Sequence, residues 1–109
     1  MNSDYNFDEL IDQVAIWANE RDLLHDDYAN RQMLKVVEEI GELASALAKD
    51  DMRNIIDSIG DSFVTLIILS YQLGISPNEA LSQAYNEIKD RKGKMIDGVF
   101  VKQEDLTNA

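Results

Sequence analysis

Glu38, Glu39, Glu42, Asp57 and Asp61 fall at helical spacings in a stretch that then turns almost wholly apolar, from Phe63 to Tyr71. At about 100° per residue, Glu38, Glu39 and Glu42 share roughly a third of the circumference of one helix. Asp57 and Asp61, one helical turn apart, stack on one face of the next. With Asp50 and Asp51 as the turn of an antiparallel helix pair, Glu42 and Asp61 sit at nearly the same height, given a rise of about 1.5 Å per residue. Carboxylates from two helices then converge.

Taken alone, the three glutamates read as an ordinary solvated face, because Glu is a good helix former and Val36, Val37, Ile40, Leu43 and Leu47 occupy the other side. Asp61 argues otherwise. The run that follows it is apolar nearly all round, as expected of a buried helix, and a carboxylate entering such a helix costs several kcal/mol unless paired or bound to a cation. A hard divalent cation with oxygen ligands, Mg²⁺ first and Mn²⁺ next, suits the cluster. The expected ligands are Glu39, Glu42 and Asp61, with Asp57 as either a further ligand or a cap and solvent residue near the start of its helix.

These residues resemble the signature of the MazG-like all-α nucleoside triphosphate pyrophosphohydrolases, E-E-x-x-E on one helix and E-x-x-D on the next. The first half is present as Glu38-Glu39-Ile40-Gly41-Glu42; the second is Ser58-Ile59-Gly60-Asp61, with Ser58 where the family has Glu. The resemblance reaches from about Trp17 to Lys102 and includes Gln32, Lys35 and the segment from Ala84 to Gly93. It implies a four-helix bundle-like all-α fold and hydrolysis of a (d)NTP between the α- and β-phosphates, giving the (d)NMP and pyrophosphate. Glu38 is then the residue that orients or deprotonates the attacking water, or that supports a metal ligand from behind. A dUTPase-like, dCTPase-like or phosphoribosyl-ATP pyrophosphohydrolase activity is the nearest alternative. A non-catalytic helical oligomerisation module with a residual metal site is the alternative from another class, made credible by Ser58.

The chain of 109 residues carries 21 acidic and 10 basic side chains, a formal net charge of −11. That sign repels nucleic acid and anionic membranes, so neither is expected as a partner. A triphosphate needs metal ions and local cations to approach. Lys35 is either a surface ion-pair partner of Glu38 or a phosphate contact. Asn86, Lys89 and Arg91, with Lys92 and Lys94, form the basic cluster expected to hold phosphates, or else merely complement a helix C-terminus.

Absence of Cys and a single His exclude disulfides and the usual zinc ligand sets. One domain spanning 1–109, a cytoplasmic location and a homodimer or homotetramer are the further expectations. The first rests on length, the second on the lack of a basic-apolar leader, and the third on the apolar content of 45%. The apolar run after Asp61 is itself too short to span a bilayer.

Four helices are predicted, over 7–20, 29–49, 53–73 and from Pro77 to near Arg91, the last with Ala80, Leu81, Ala84, Tyr85 and Ile88 facing inward. Asp4 or Asn6 caps the first, Gly74 ends the third, and Ser76, Pro77 and Glu79 start the fourth. Trp17 belongs to the apolar stripe of the first helix, and is also placed to stack on a nucleobase. Residues 21–28 read as a loop containing His25, expected to be solvent-exposed or locally hydrogen-bonded. Asp97-Gly98 between short apolar runs signals a two-residue hairpin, and residues 103–109 are expected to fray.

Overall fold

The computed structural model describes residues 4–107, which form α1 (Phe7–Glu20), a 3₁₀ turn (Asp26–Tyr28), α2 (Ala29–Ala48), α3 (Met52–Gln72), α4 (Pro77–Ile88), β1 (Gly93–Ile96), β2 (Val99–Lys102) and α5 (Gln103–Thr107). The fold is all-α with a short hairpin, as the sequence predicts. The chain divides into two compact units, one ending at Pro77 and the other beginning at Asn78.

Local chemistry sets the boundaries in the first unit. Asn6 caps α1, its side-chain oxygen accepting from the Glu9 N–H at 2.9 Å while its Nδ2 donates to Glu9 Oε1 at 3.1 Å. Asp50, at φ 53°, turns the chain out of α2, and Asp51 then caps α3 by accepting from the Asn54 N–H. Gly74, at φ 73°, follows the end of α3 in the left-handed conformation that glycine adopts without strain.

The helices α2 and α3 pack along their length as an antiparallel pair, with α1 lying against α3. Their buried apolar residues are Val36 and Ala46 from α2, Ile55, Ile67 and Ile68 from α3, and Ile11 and Ala18 from α1. Phe7 meets Phe63 edge-on at 5.6 Å. Two glutamines tie this packing to the backbone: Gln32 Nε2 donates to the Thr65 carbonyl at 3.1 Å, and Gln72 Nε2 to the Leu23 carbonyl at 3.0 Å.

The expectation that α3 is buried all round is corrected. Only one side is covered, and Ile56, Ile59, Phe63 and Leu66 remain exposed, as do Leu34, Val37 and Leu47 on α2. Two helices, α1 and α2, cannot surround α3, so beyond the edge contact of Phe63 with Phe7 its second apolar face stays uncovered among the described residues of the unit. Among the described residues, α3 alone is long and apolar enough to cross a bilayer by length and composition. Its packing on α2 and the carboxylates of Asp57 and Asp61 are instead those of a bundle helix.

In the second unit, β1 and β2 pair antiparallel in the register Gly93↔Lys102 to Ile96↔Val99. Asp97 (φ 50°) and Gly98 (φ 80°) form the turn, both in the positive-φ conformation that two-residue hairpins need. No residue of α4 is buried, which corrects the inward face expected for Leu81, Tyr85 and Ile88. Residues 103–107 are helical rather than frayed, because the Gln103 N–H donates to the Lys92 carbonyl at 2.8 Å and anchors the start of α5. Residues 108 and 109, like residues 1–3, lie outside the described residues.

Candidate metal centre

On α2 the carboxylates of Glu38, Glu39 and Glu42 offer oxygens that all lie within 4.8 Å of one another. The helical repeat imposes this, since the three positions share a face. Glu39 is the innermost; its Oε2 is buried and has no hydrogen-bond partner. An ionised oxygen in that position is unstable without a counter-charge. The Glu39 carboxyl is accordingly held above the ordinary carboxylate range, first by burial, then by the charges of Glu42 and Asp61, a side-chain hydrogen bond with Glu42, and the charge of Glu38.

The facing helix supplies Asp61, half-buried, whose carboxyl is also pushed up, by burial, by Asp57 and by Glu42. The structure thus brings Glu39, Glu42 and Asp61 together across the α2–α3 seam, with Glu38 at its rim. Asp57 is exposed but near enough to Asp61 to be felt electrostatically. Ser58 is 5% exposed and turned into the helix pair. Its carbonyl accepts from Ser62 Oγ at 2.7 Å, and Thr65 Oγ1 donates to the Asp61 carbonyl at 3.0 Å. Those bonds fill polar capacity along the buried side of α3 without engaging the carboxylates.

A cleft of about 260 Å³ lies at the turn end of the seam, lined by Glu42, Ser45, Ala46, Lys49, Asn54, Asp57 and Ser58. Both Asp57 and Ser58 border it. Lys49 and Asn54 are additions to the residues expected from the motif. Lys49 lies two helical turns beyond Glu42, a spacing that by helix periodicity puts both on the same face.

The remaining candidates are placed as follows. Lys35 Nζ is 3.6 Å from Glu38 Oε2 in an exposed i, i+3 pair, the weak surface contact that its spacing allows. Trp17 is 47% exposed, carries the Arg21 guanidinium 4.2 Å from its ring centroid, and lines an apolar cavity of about 310 Å³ with Leu10, Gln13, Val14 and Val64. His25 Nε2 lies 2.7 Å from Asp22 Oδ1, an exposed local contact. Asn86, Lys89 and Arg91 are exposed residues of the second unit.

Whether a divalent ion fits can be judged from the donors. All are carboxylate oxygens, one of them a buried orphan; of the nearby cations, Lys35 pairs with the outermost carboxylate, Glu38, and Lys49 lines the cleft beside Glu42. This donor set suits a hard ion: Glu38, Glu39 and Glu42 offer oxygens close enough to share one, and Asp61 adds its charge from α3. Exposed acidic groups often cluster without one; the feature that sets this cluster apart is the unpartnered buried Glu39 Oε2 within it.

Comparison with known proteins agrees with this geometry. An uncharacterized 18.2 kDa protein from the rep-hol intergenic region of Haemophilus phage HP1 (strain HP1c1) is 44% identical over 64 residues, which cover 59% of this chain and 39% of that protein. The chain therefore matches about two fifths of that relative's length. No solved structure matches. The model of the MazG nucleotide pyrophosphohydrolase domain matches residues 29–96, from the start of α2 through β1 and including the whole carboxylate cluster. With more than half of its length matched, the chain belongs to the MazG nucleotide pyrophosphohydrolase family.

Proposed function

We propose that the chain hydrolyses (d)NTPs to (d)NMP and pyrophosphate with Mg²⁺, or Mn²⁺, held at Glu39, Glu42 and Asp61. The observation that carries this reading is the unpartnered buried Glu39 Oε2 in a carboxylate cluster where burial first, and then mutual repulsion, raises Glu39 and Asp61. When bound, the ion supplies positive charge to phosphate oxygens and to the pyrophosphate leaving group.

The chain's own residues do the rest. Glu38, at the exposed rim of the cluster, orients the attacking water or takes its proton as the water oxygen bonds to the α-phosphorus and the bond to the bridging oxygen breaks. Asp57 and Ser58 border the cleft beside Glu42, and Asp57 supplies the carboxylate that Ser58 does not. In the first unit Lys35 is assigned to a phosphate contact and Trp17 to the base; Asn86, Lys89 and Arg91 of the second unit are assigned, by their charge and polarity alone, to phosphate binding.

A homo-oligomer belongs to the same proposal, because Leu34, at 69% exposed, and the uncovered sides of α2 and α3 present an apolar surface that a second copy would bury. Incubation with a panel of ribo- and deoxynucleoside triphosphates plus Mg²⁺, with nucleotide products and pyrophosphate measured separately, tests the activity. Monophosphate and pyrophosphate in equal amounts support it; diphosphate with orthophosphate, or no turnover of any triphosphate, contradicts it.

A further inference from the structure

The cleft at the turn end of the α2–α3 seam is lined by one cation, Lys49, and by two carboxylates, Glu42 and Asp57. Local structure puts the lysine there. It is the C-cap residue of α2, where the open carbonyls of the last turn favour positive charge, and Asp50, at φ 53°, then turns the chain back so that α3 begins beside it. Asp51, the next acid along the chain, is taken up as the cap of α3: its Oδ1 accepts from the Asn54 N–H at 3.3 Å and its Oδ2 from Asn54 Nδ2 at 2.6 Å. The ion pairs formed among the described residues, His25 with Asp22 and Lys35 with Glu38, do not include Lys49. Its ammonium lines the cleft without being tied to a carboxylate.

Ser58 decides how the charges of this cleft balance. With a glutamate there, as in the family signature, three carboxylates would surround one ammonium, a strong pull on a second divalent cation. Serine leaves two. Of those, Glu42 also belongs to the cluster it shares with Glu38 and Glu39, around the buried orphan oxygen. Asp57 is then the one carboxylate that the cleft has to itself, and a doubly charged ion placed there would be repelled by Lys49.

We infer that Lys49 is a built-in cation of the site, so that the chain by itself holds one divalent ion, with Lys49 supplying in the cleft the positive charge that a second ion would bring. A divalent ion on a carboxylate at position 58 would carry one net positive charge; so does the Lys49 ammonium beside Ser58. The serine and the lysine are in this sense two halves of one exchange. In turnover the charge is available to an anionic substrate without a second ion having to bind. The inference rests on the proposed hydrolase reading for the first ion, the one at Glu39, Glu42 and Asp61.

Mn²⁺ binding to the full chain, counted without nucleotide by calorimetry and by the paramagnetic resonance signal of the free ion, tests this without turnover. One ion per chain is expected. Two ions in the wild type would overturn the inference and leave the hydrolase reading standing; no binding would overturn both. One ion with no turnover of any triphosphate would support the inference and remove the reading. Lys49→Gln should tighten the first ion about threefold or more, because a like charge nearby is removed, whereas Lys49→Arg, which keeps that charge, should leave the affinity unchanged. Arg31→Gln, the same loss of charge elsewhere on α2, should leave it unchanged too. Lys49→Gln combined with Ser58→Glu should raise the count to two, with the melting curve in Mn²⁺ checking that the double variant is folded. A count of one in the folded double variant, or equal tightening in Lys49→Gln and Arg31→Gln, would overturn the role of Lys49. Should the double variant not fold, the affinity of Lys49→Gln decides: no tightening overturns the inference.

Discussion

Glu42 on α2 and Asp61 on α3 repel across the seam between their helices: the Asp61 carboxyl is held above its ordinary value by burial, by Asp57 and by Glu42. In a site built only for stability such a pairing is a defect. Held in place by two helices that pack along their length, it is a preorganised demand for positive charge.

Divalent ions should therefore stabilise the fold, because they bind the native cluster and not the unfolded chain. At a hundred times the dissociation constant the gain is about 2.7 kcal/mol, a shift of several degrees for a chain of this size. Melting curves in EDTA and in millimolar Mg²⁺ or Mn²⁺, at matched ionic strength, measure it. Superimposed curves contradict the metal site.

The raised carboxyls also set a pH dependence. A carboxyl whose folded pKa lies above its unfolded value stabilises the metal-free fold fully below the unfolded value, near 4, and that contribution is lost as pH rises through the folded value. Glu39→Gln removes the charge that neutral pH otherwise forces into the cluster. Metal-free Glu39→Gln should melt above the wild type at pH 7.5, and the difference should vanish toward pH 4. With Mg²⁺ present the order at pH 7.5 should reverse. A constant offset across pH would mean that Glu39 carries no electrostatic burden.

Much of this arrangement is legible in the residues alone, because it depends on local rules. Asn6, Asp51, Gly74 and the Asp97-Gly98 pair place element ends to within about two residues, through caps and positive-φ positions. The convergence of Glu39, Glu42 and Asp61 follows from helix periodicity and one turn. Periodicity shows that a face is apolar but not what covers it, so the exposure of Leu81 and Tyr85 on α4 and of Phe63 and Leu66 on α3 was beyond it. The short α5 was hidden for a related reason, since it hangs on a backbone bond from Gln103 to Lys92.

Asp57 and Ser58 compete for the role of the family's missing glutamate, and both border the cleft at Glu42. Asp57→Asn should lower kcat/KM by about tenfold or more, as loss of a ligand or its support does, while Ser58→Ala should change it less than twofold. Ser58→Glu places a carboxylate at a buried position beside the existing ones, so its melting temperature should fall without metal and recover with Mg²⁺. A Ser58→Ala defect larger than that of Asp57→Asn would reassign the role.

The uncovered apolar sides of α2 and α3 predict association. Sedimentation at micromolar concentration should give a dimer or a multiple of it, and Leu34→Lys together with Val37→Lys should shift the distribution toward the 12.4 kDa monomer. A wild-type monomer would require those side chains to tolerate water.

The most direct test is pyrophosphate release from the best nucleoside triphosphate, measured with Mg²⁺, with EDTA, and in Asp61→Asn. Release should require the metal and fall about a hundredfold or more in the variant, because in the proposed site Asp61 is the ligand contributed by α3. Release that persists in EDTA, or that is unchanged in Asp61→Asn, would show that the Glu39–Glu42–Asp61 cluster is not where the chemistry occurs.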